Sequence, residues 1–426
     1  MAFRAYWLKL SGVVLNIGAI NLCKEKGFYF PAAYAAFHGI TEKYIIYIVF
    51  DSSMARQGNT AKRKTANIYS HKAKYAVKES IAGSRRAGRL AKGCSLCVRG
   101  RKSVLFITGI CPRKCFYCPL SDNKKDRDVI YINERKVSNI RQVIEEIKLS
   151  CSFGVGITGG DPLSRISRTT TYIRTLKKEF GKGFHIHLYT SLDLVNKEAL
   201  SRLYRAGLDE IRFHPDFDKP QQWPRLLLAK EFNWSVGVEI PVIPGTKRKT
   251  KRLIEFIKGK ADFLNLNELE ISDNNANKLL SYGFKPKDSI SYAVLGSDRL
   301  AKELIAYSSR FIRTHYCTAK LKDSVQMAKR IKLRAKSVKK SFDYLTREGM
   351  LIRGAVYGTG KCLKQAYALI KKHESDAVLD TKRKRVLASV DIIDKLKAEL
   401  RKINCRPAIV EDYPTYDSMN IETIFI

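Results

Sequence analysis

Short apolar runs alternate with stretches of helical spacing along the middle of this chain. The apolar runs are typical of buried strands and lie at 103–108, 153–158, 184–190, 209–214, 235–243 and 263–272. The stretches between them have apolar residues three or four positions apart, as helices do, and lie at 138–149, 171–180, 197–207, 223–232 and 251–259. Units of this kind, repeating roughly every 25–30 residues, predict parallel strands joined by right-handed crossovers. Six strands predict an open, partial barrel rather than a closed one of eight.

The pattern changes on both sides of this region, so we divide the chain into five segments. They are an aromatic and apolar N-terminal extension (1–53), a basic arm (54–102), the partial barrel (103–275), a helical basic extension (276–340) and a small α/β C-terminal domain (341–426). The basic arm opens on a methionine, which leaves Met1 and Met54 as alternative starts of the protein. The residues 70–92 within the arm are expected to be partly helical.

The charge of the chain is strongly unbalanced. It has 79 Lys and Arg against 41 Asp and Glu, a formal net charge of +38. The arm has fourteen basic residues and one acid, Glu79, and the segment 320–340 has nine basic residues and one acid. Such an excess repels itself in a compact state, and a polyanion such as RNA would offset it. A solvated basic tail is the alternative interpretation.

Cysteine usage bears on the compartment. The chain has ten cysteines but no convincing signal peptide, and its run of seven apolar residues at 44–50 is too short to span a bilayer. We therefore predict a cytoplasmic protein without a membrane segment, in which clustered cysteines bind metal.

Three cysteines follow the first predicted strand of the barrel. Cys111, Cys115 and Cys118 have the spacing C-x3-C-x2-C. Thiolates are soft ligands that suit zinc or iron–sulfur clusters, and a structural zinc site needs four ligands. A cubane cluster held by three thiolates keeps one iron open to a substrate or cofactor.

This arrangement resembles the radical S-adenosylmethionine (SAM) superfamily, which has the same spacing after its first strand and an aromatic residue, here Tyr117, before the last cysteine. The resemblance implies a partial (β/α)6 radical SAM barrel, a [4Fe-4S] cluster on the three cysteines and bound SAM. It also implies cofactor contacts from strand ends. The predicted contacts are the aromatic residue before the last cysteine, the "GGDP" segment beside the SAM amino group and two polar residues. They are Tyr117, Gly159, Gly160, Asp161, Pro162, Thr190 and His214.

A narrower resemblance comes from the segments at 131–134, 315–330 and 411–415, together with the stretch 93–121. They are similar to mostly archaeal proteins described as related to the pyruvate formate-lyase-activating enzyme. The basic arm and the long C-terminal extension depart from true activases.

A second metal site is predicted from three further cysteines. Cys94 and Cys97 form a C-x2-C pair between glycines, and Cys317 follows His315 far along the chain. Together they favour an auxiliary iron–sulfur cluster or zinc. Free cysteines in a glycine-flanked turn are the alternative.

Three functions are compatible with these features. The first is a radical SAM enzyme that modifies RNA, bound through 54–102 and 320–340, with Tyr69 and Tyr75 stacking on bases. The second is a radical SAM activase or modifying enzyme acting on a protein or peptide. The third, a nucleic-acid-binding protein with a structural cluster, leaves the "GGDP" segment unexplained. Either enzyme would need an electron donor such as ferredoxin or flavodoxin.

Overall fold

The structure is a computed structural model that describes residues 7–10, 13–16, 73–289 and 291–426. The chain divides into two units, 1–66 and 67–426. In the first, strands β1 (Trp7–Leu10) and β2 (Val13–Asn16) pair antiparallel. Most of the predicted N-terminal extension, and the arm up to residue 72 with Tyr69, lie outside the described residues.

The second unit contains an eleven-stranded sheet. Its strands are β3 (Val77–Glu79), β4 (Arg85–Ala87), β5 (Lys102–Phe106), β6 (Ile130–Ile132), β7 (Arg135–Val137), β8 (Gly154–Thr158), β9 (His185–Thr190), β10 (Glu210–Phe213), β11 (Ser235–Val242), β12 (Phe263–Glu268) and β13 (Arg313–Cys317). Their order is β3-β4-β13-β12-β11-β10-β9-β8-β5-β6-β7. The seven central strands are parallel, namely β5 and β8 to β13. The hairpins β3–β4 and β6–β7 extend the two ends of the sheet with antiparallel strands.

Helices follow most of the parallel strands, and one helix precedes the first of them. They are α1 (Lys92–Val98), α2 (Ile140–Leu149), α3 (Ile166–Phe180), α4 (Lys197–Ala206), α5 (Lys247–Ile257), α6 (Asp273–Ser281), α7 (Ser297–Ser308) and α8 (Ala328–Val338). The local sequence explains their ends. Asn139 and Asn196 accept hydrogen bonds from the first turns of α2 and α4, and Gly207 ends α4 at φ 98°. Buried apolar residues of α3, α4 and α5 pack on the sheet and form the core.

The α/β class and its parallel sheet, predicted from the alternating pattern, are confirmed. The structure adds a seventh parallel strand, β13, which the sequence pattern did not reveal. The stretch 223–232 was predicted to be an α-helix, but Pro220–Glu231 forms 3-10 turns. Pro224 lies inside it and has no backbone N–H to donate.

The expected helix at 70–92 is wrong for its described part. Residues 77–87 form the hairpin β3–β4, which pairs with β13 and covers an edge that would otherwise expose unpaired backbone groups. Helix α1 then leads from β4, beside the last parallel strand, to β5, the first. It contacts β5, β8, β9 and the helical turn Leu321–Met327.

Beyond α8 the chain forms a six-stranded sheet with its own core. Its strands are β14 (Tyr344–Leu345), β15 (Leu351–Tyr357), β16 (Val378–Asp380), β17 (Arg385–Ala388), β18 (Arg406–Asp412) and β19 (Asn420–Phe425). Helices α9 (Gly360–Lys371), α10 (Val390–Lys395) and α11 (Lys397–Lys402) contribute apolar residues to the core. All pairings in this sheet are antiparallel. Across the described residues, no helix is long and apolar enough to cross a membrane.

Candidate active site

A cavity of about 520 Å³ lies inside the partial barrel. Side chains from successive strands face it, and many of them are polar. They include Tyr189 and Thr190 of β9, Arg212 of β10, Glu239 and Pro241 of β11, Asn265 and Asn267 of β12, and His315 and Cys317 of β13. Functional groups of such barrels gather where parallel strands end, and this cavity is the candidate site.

The loop after β5 carries Cys111, Cys115 and Cys118, which we call the loop thiols. Cys111 and Cys115 line the cavity, and Cys118 lies in the same loop, where its N–H donates to the Cys115 carbonyl at 3.2 Å. All three are half-buried and free of disulfides. Burial raises the pKa of Cys111 to about 11. A metal must therefore displace protons when it binds here. Three free thiols in one loop beside a cavity fit a cluster with one open iron.

The "GGDP" segment holds this loop in place. The N–H of Gly160 donates to the Thr108 carbonyl at 2.8 Å, and the N–H of Asp161 donates to the Ile110 carbonyl at 2.9 Å. A Cβ on Gly160 would lie 2.5 Å from the Ile110 oxygen. Gly159 has φ 157°, and a Cβ on it would clash with the Thr108 carbonyl. The close approach of the cysteine loop is a sufficient reason for both glycines, and the contact of this segment with SAM stays a prediction.

Asp161 lies fully buried beneath the cavity. One carboxylate oxygen accepts from the Leu163 N–H (3.0 Å) and the Thr190 hydroxyl (2.8 Å). The other accepts from the N–H (3.0 Å) and hydroxyl (2.7 Å) of Ser191. Burial raises the pKa of Asp161, although these donors oppose the shift. The carboxylate thereby fixes the end of β9, which points to an indirect role. Thr190 lines the cavity, and Pro162 opens the buried turn after Asp161.

Tyr117 and His214 form a second support for the loop. The Tyr117 hydroxyl lies 2.8 Å from His214 Nε2, and His214 Nδ1 lies 3.0 Å from the Glu239 carbonyl. A carbonyl only accepts, so Nδ1 carries the proton and Nε2 accepts from tyrosine. Burial, followed by the charge of Arg113, lowers the pKa of His214 to about 4. The imidazole is therefore neutral near pH 7, and both residues line the cavity.

The structure also brings together the three other predicted metal ligands. Cys94 and Cys97 of α1 and Cys317 of β13 line the same cavity, and we call them the helix–strand thiols. The Cys97 thiol donates to Gln326 Oε1 at 2.8 Å, and Gln326 Nε2 donates to Cys317 Sγ at 3.6 Å. Cys94 Sγ accepts from Asn265 Nδ2 at 3.2 Å.

Sequence reasoning missed a buried charged network in the same cavity. Arg212 donates to Glu239 Oε2 (2.8 Å), and Glu239 also accepts from Asn265 (2.8 Å) and Asn267 (2.9 Å). Burial alone would raise the pKa of Glu239, but Arg212 and the amides outweigh it and lower the pKa. A signal was present in the sequence. Polar residues occupy alternate positions of strands that a doubly covered parallel sheet would make apolar.

Sequence reasoning also missed a compact buried group next to this network. The donor atoms of His185, His187 and Glu210 lie within 4.8 Å of one another. Arg212 pairs with Glu210 at 2.5 Å, so the carboxylate already has a cation beside it. The charge of Arg212 opposes the binding of a metal ion here, and we assign none.

Comparisons with known proteins agree with this geometry. Residues 105–257 match the family model of the radical SAM superfamily, and residues 349–426 match a domain of unknown function (DUF8061). A Methanocaldococcus jannaschii protein, provisionally named a glycyl-radical enzyme activating enzyme, is 41% identical over 348 residues, covering 79% of this chain and 92% of that protein.

Two more distant similarities accompany it. The biotin synthase of Pseudoalteromonas translucida is 25% identical over 130 residues, 29% of this chain and 35% of that enzyme. The structure of Streptococcus suis SuiB bound to SAM gives a TM-score of 0.37 at 12% identity, over 51% of this chain and 50% of that one. On the M. jannaschii relative and the matched family model, this chain belongs to the radical SAM superfamily of enzymes.

Proposed function

We propose that this radical SAM enzyme cleaves SAM reductively and acts on a protein or peptide. The observation that carries the chemistry is the position of the loop thiols, beside a cavity lined by the ends of the parallel strands. When bound, a [4Fe-4S] cluster and SAM supply a 5′-deoxyadenosyl radical after transfer of one electron from a donor such as ferredoxin or flavodoxin.

The chain's own residues hold and orient these groups in the proposal. Cys111, Cys115 and Cys118 bind the cluster, and the backbone contacts of Gly160 and Asp161 keep their loop against the barrel. Asp161 also orients the Thr190 hydroxyl and the Ser191 backbone at the cavity wall. Tyr117 belongs to this loop, and its hydroxyl forms a hydrogen bond with His214. The site thus supplies position and excludes water.

A polypeptide substrate is favoured by the M. jannaschii relative, whose provisional name makes it an activator of glycyl-radical enzymes. In the segment 320–340, which was predicted to bind RNA, three of the nine basic residues are paired with acids of the fold. Arg334 forms a buried pair with Glu146 at 2.8 Å, Arg330 pairs with Glu134, and Lys322 pairs with Glu270 at 2.5 Å. These cations hold the fold together and are not free for phosphates.

RNA remains the second candidate, because one surface feature favours a polyanion. A cavity of about 300 Å³ on the hairpin β3–β4 is lined by Lys74, Tyr75, Lys78, Arg86 and Arg89 among others. Clustered basic side chains with an aromatic neighbour are typical of phosphate and base contacts.

Isotope transfer tests the substrate class. The reconstituted, reduced enzyme is incubated with SAM and with extract of the source organism grown in deuterated medium, separated into an RNA-free protein fraction and a protein-free RNA fraction. A deuterium atom abstracted from the substrate ends in 5′-deoxyadenosine, which mass spectrometry detects. We expect deuterated product with the protein fraction only.

The controls separate the two parts of the proposal. Cys115→Ala should lower 5′-deoxyadenosine formation at least about 100-fold with either fraction, and product formation at the wild-type rate would refute the assignment of the loop thiols. Deuterium transfer from the RNA fraction alone would refute the polypeptide substrate and leave the SAM chemistry intact.

A further inference from the structure

The helix–strand thiols have a structural context that the loop thiols do not explain. Cys94 and Cys97 are three residues apart on α1, so their side chains project from one face of the helix. Cys94 accepts from Asn265 of β12, and Cys97 donates to Gln326, which in turn donates to Cys317, the last residue of β13. Two thiols of α1 and a third more than two hundred residues later thus line one cavity.

A fourth donor lies beside them. His315 precedes Cys317 by two residues on β13, so both side chains point to the same face of the sheet. His315 pairs in register with Asn265, the residue whose amide contacts Cys94. The His315 side chain is only 5% exposed, and its Nδ1 has no hydrogen-bond partner within the part of the chain that the structure describes. A buried nitrogen without a partner destabilises a fold unless a ligand satisfies it.

Charged residues of both signs lie near these donors. Arg212 and Lys322 line the same cavity but are paired with Glu239 and Glu270, which also line it. Lys102 opens β5 after α1, lines the cavity and forms no ion pair within the described residues. A centre bound by several thiolates carries negative charge, and a cation such as Lys102 stabilises it in a buried site.

The spacing of the donors favours a cluster over a single ion. Ligands of one zinc ion lie about 2.3 Å from the metal, so they come within roughly 4 Å of one another. Among the described residues, only His185, His187 and Glu210 form a group with donor atoms within 4.8 Å. No three of the helix–strand thiols and His315 have donor atoms all within 4.8 Å of one another, which suits ligands that bind different irons of a cluster.

We propose that Cys94, Cys97, Cys317 and His315 bind a second iron–sulfur cluster inside the barrel, separate from the cluster proposed for the loop thiols. His315 Nδ1 is the non-thiolate ligand. Because its ligands line the cavity that the loop thiols also face, this cluster borders the space available to substrate.

Metal content of a variant that lacks the first site tests the inference. In Cys111→Ala/Cys115→Ala/Cys118→Ala, we expect anaerobic reconstitution to leave about half of the wild-type iron and sulfide, with a cluster signal in electron paramagnetic resonance after reduction. Adding Cys97→Ser or Cys317→Ser to this variant should remove the rest. Adding Cys151→Ser should not, because Cys151 contacts Ser337 outside the cavity. Circular dichroism confirms that each variant is folded.

Three results would overturn the inference. If the triple variant contained no iron and sulfide after reconstitution, there would be no second cluster. Stoichiometric zinc in place of iron and sulfide would refute this cluster as well. Pulsed electron paramagnetic resonance should detect coupling to an imidazole nitrogen that disappears in His315→Ala, and the absence of this coupling in the parent would refute the ligand set. None of these readouts depends on SAM cleavage, so they stand apart from the proposed function.

Discussion

The two groups of thiols are built in opposite ways. The loop thiols lie within eight consecutive residues, and a single loop pinned by the "GGDP" turn presents all three. The helix–strand thiols come from α1 and β13, and they line one cavity only because the fold brings these two distant segments together. The first site is therefore encoded locally, whereas the second depends on the completed fold.

The largest effect should separate the two groups by chemistry. Cys115→Ala removes one of the three proposed ligands of the SAM-binding cluster. We expect 5′-deoxyadenosine formation to fall by at least about 100-fold, equivalent to about 2.7 kcal/mol of activation free energy. Cys97→Ala should lower it much less, because the helix–strand thiols do not bind SAM in our proposal. Chromatography of reduced reaction mixtures measures 5′-deoxyadenosine for both variants. Equal losses in the two variants would show that the loop thiols and the helix–strand thiols do not differ in their role in SAM cleavage.

The position of the cysteine loop should depend on a single glycine, Gly160. In Gly160→Ala the new Cβ would meet the Gly109 and Ile110 carbonyls at 2.6 and 2.5 Å, and backbone atoms cannot move aside as a side chain can. We expect a loss of about 3 kcal/mol in the free energy of unfolding and less iron on the loop thiols. Denaturant unfolding and iron analysis measure these effects.

Gly183 provides the matched control. A Cβ at Gly183 would meet nothing within 4 Å, so Gly183→Ala should change the free energy of unfolding by no more than about 0.5 kcal/mol. If the two alanine variants proved equally stable, the cysteine loop would not need the close approach that the structure gives it.

The same contrast explains what could be predicted from the sequence. The alternating pattern was enough for the parallel sheet, because each strand and helix carries its own periodicity. The spacing of Cys111, Cys115 and Cys118 was enough to predict that the three cysteines share one loop. Asp161 was identified from the sequence, and its contact with SAM stays a prediction. Only the fold shows that Thr190 and Ser191 donate to its carboxylate.

What the sequence could not provide depends on neighbours far away in the chain. The strand β13 is five residues long and lies in a region where the alternation weakens, so its pairing with β12 and β4 had no local signal. The cations at 320–340 looked like a solvated or RNA-binding face. Arg334 is instead buried against Glu146, 188 residues earlier, and such long-range pairs leave no trace in composition.

The smallest effect concerns the histidines of the two sites. His214 has partners on both nitrogens, whereas His315 Nδ1 has none within the described residues. The pKa of His214 is lowered to about 4, and an unfolded histidine has a pKa of about 6.5. As the pH falls below the unfolded value, the unfolded chain binds the proton and the native state does not. The native state therefore loses stability, until the pH reaches about 4.

We expect His214 to account for about 2 kcal/mol of the stability lost between about pH 7.5 and pH 5. His214→Asn retains a donor for the Glu239 carbonyl but cannot titrate, so its free energy of unfolding should vary less with pH by that amount. The exposed His373→Asn should follow the wild-type dependence. Urea unfolding at a series of pH values measures the difference. If His214→Asn followed the wild-type curve, the pKa of His214 would be the same in the native and unfolded states. The native imidazole would then take up a proton below about pH 6.5 and could no longer accept from Tyr117 there. The cysteine loop would then have lost one of its two supports, and the local encoding of that site would rest on the "GGDP" contacts alone.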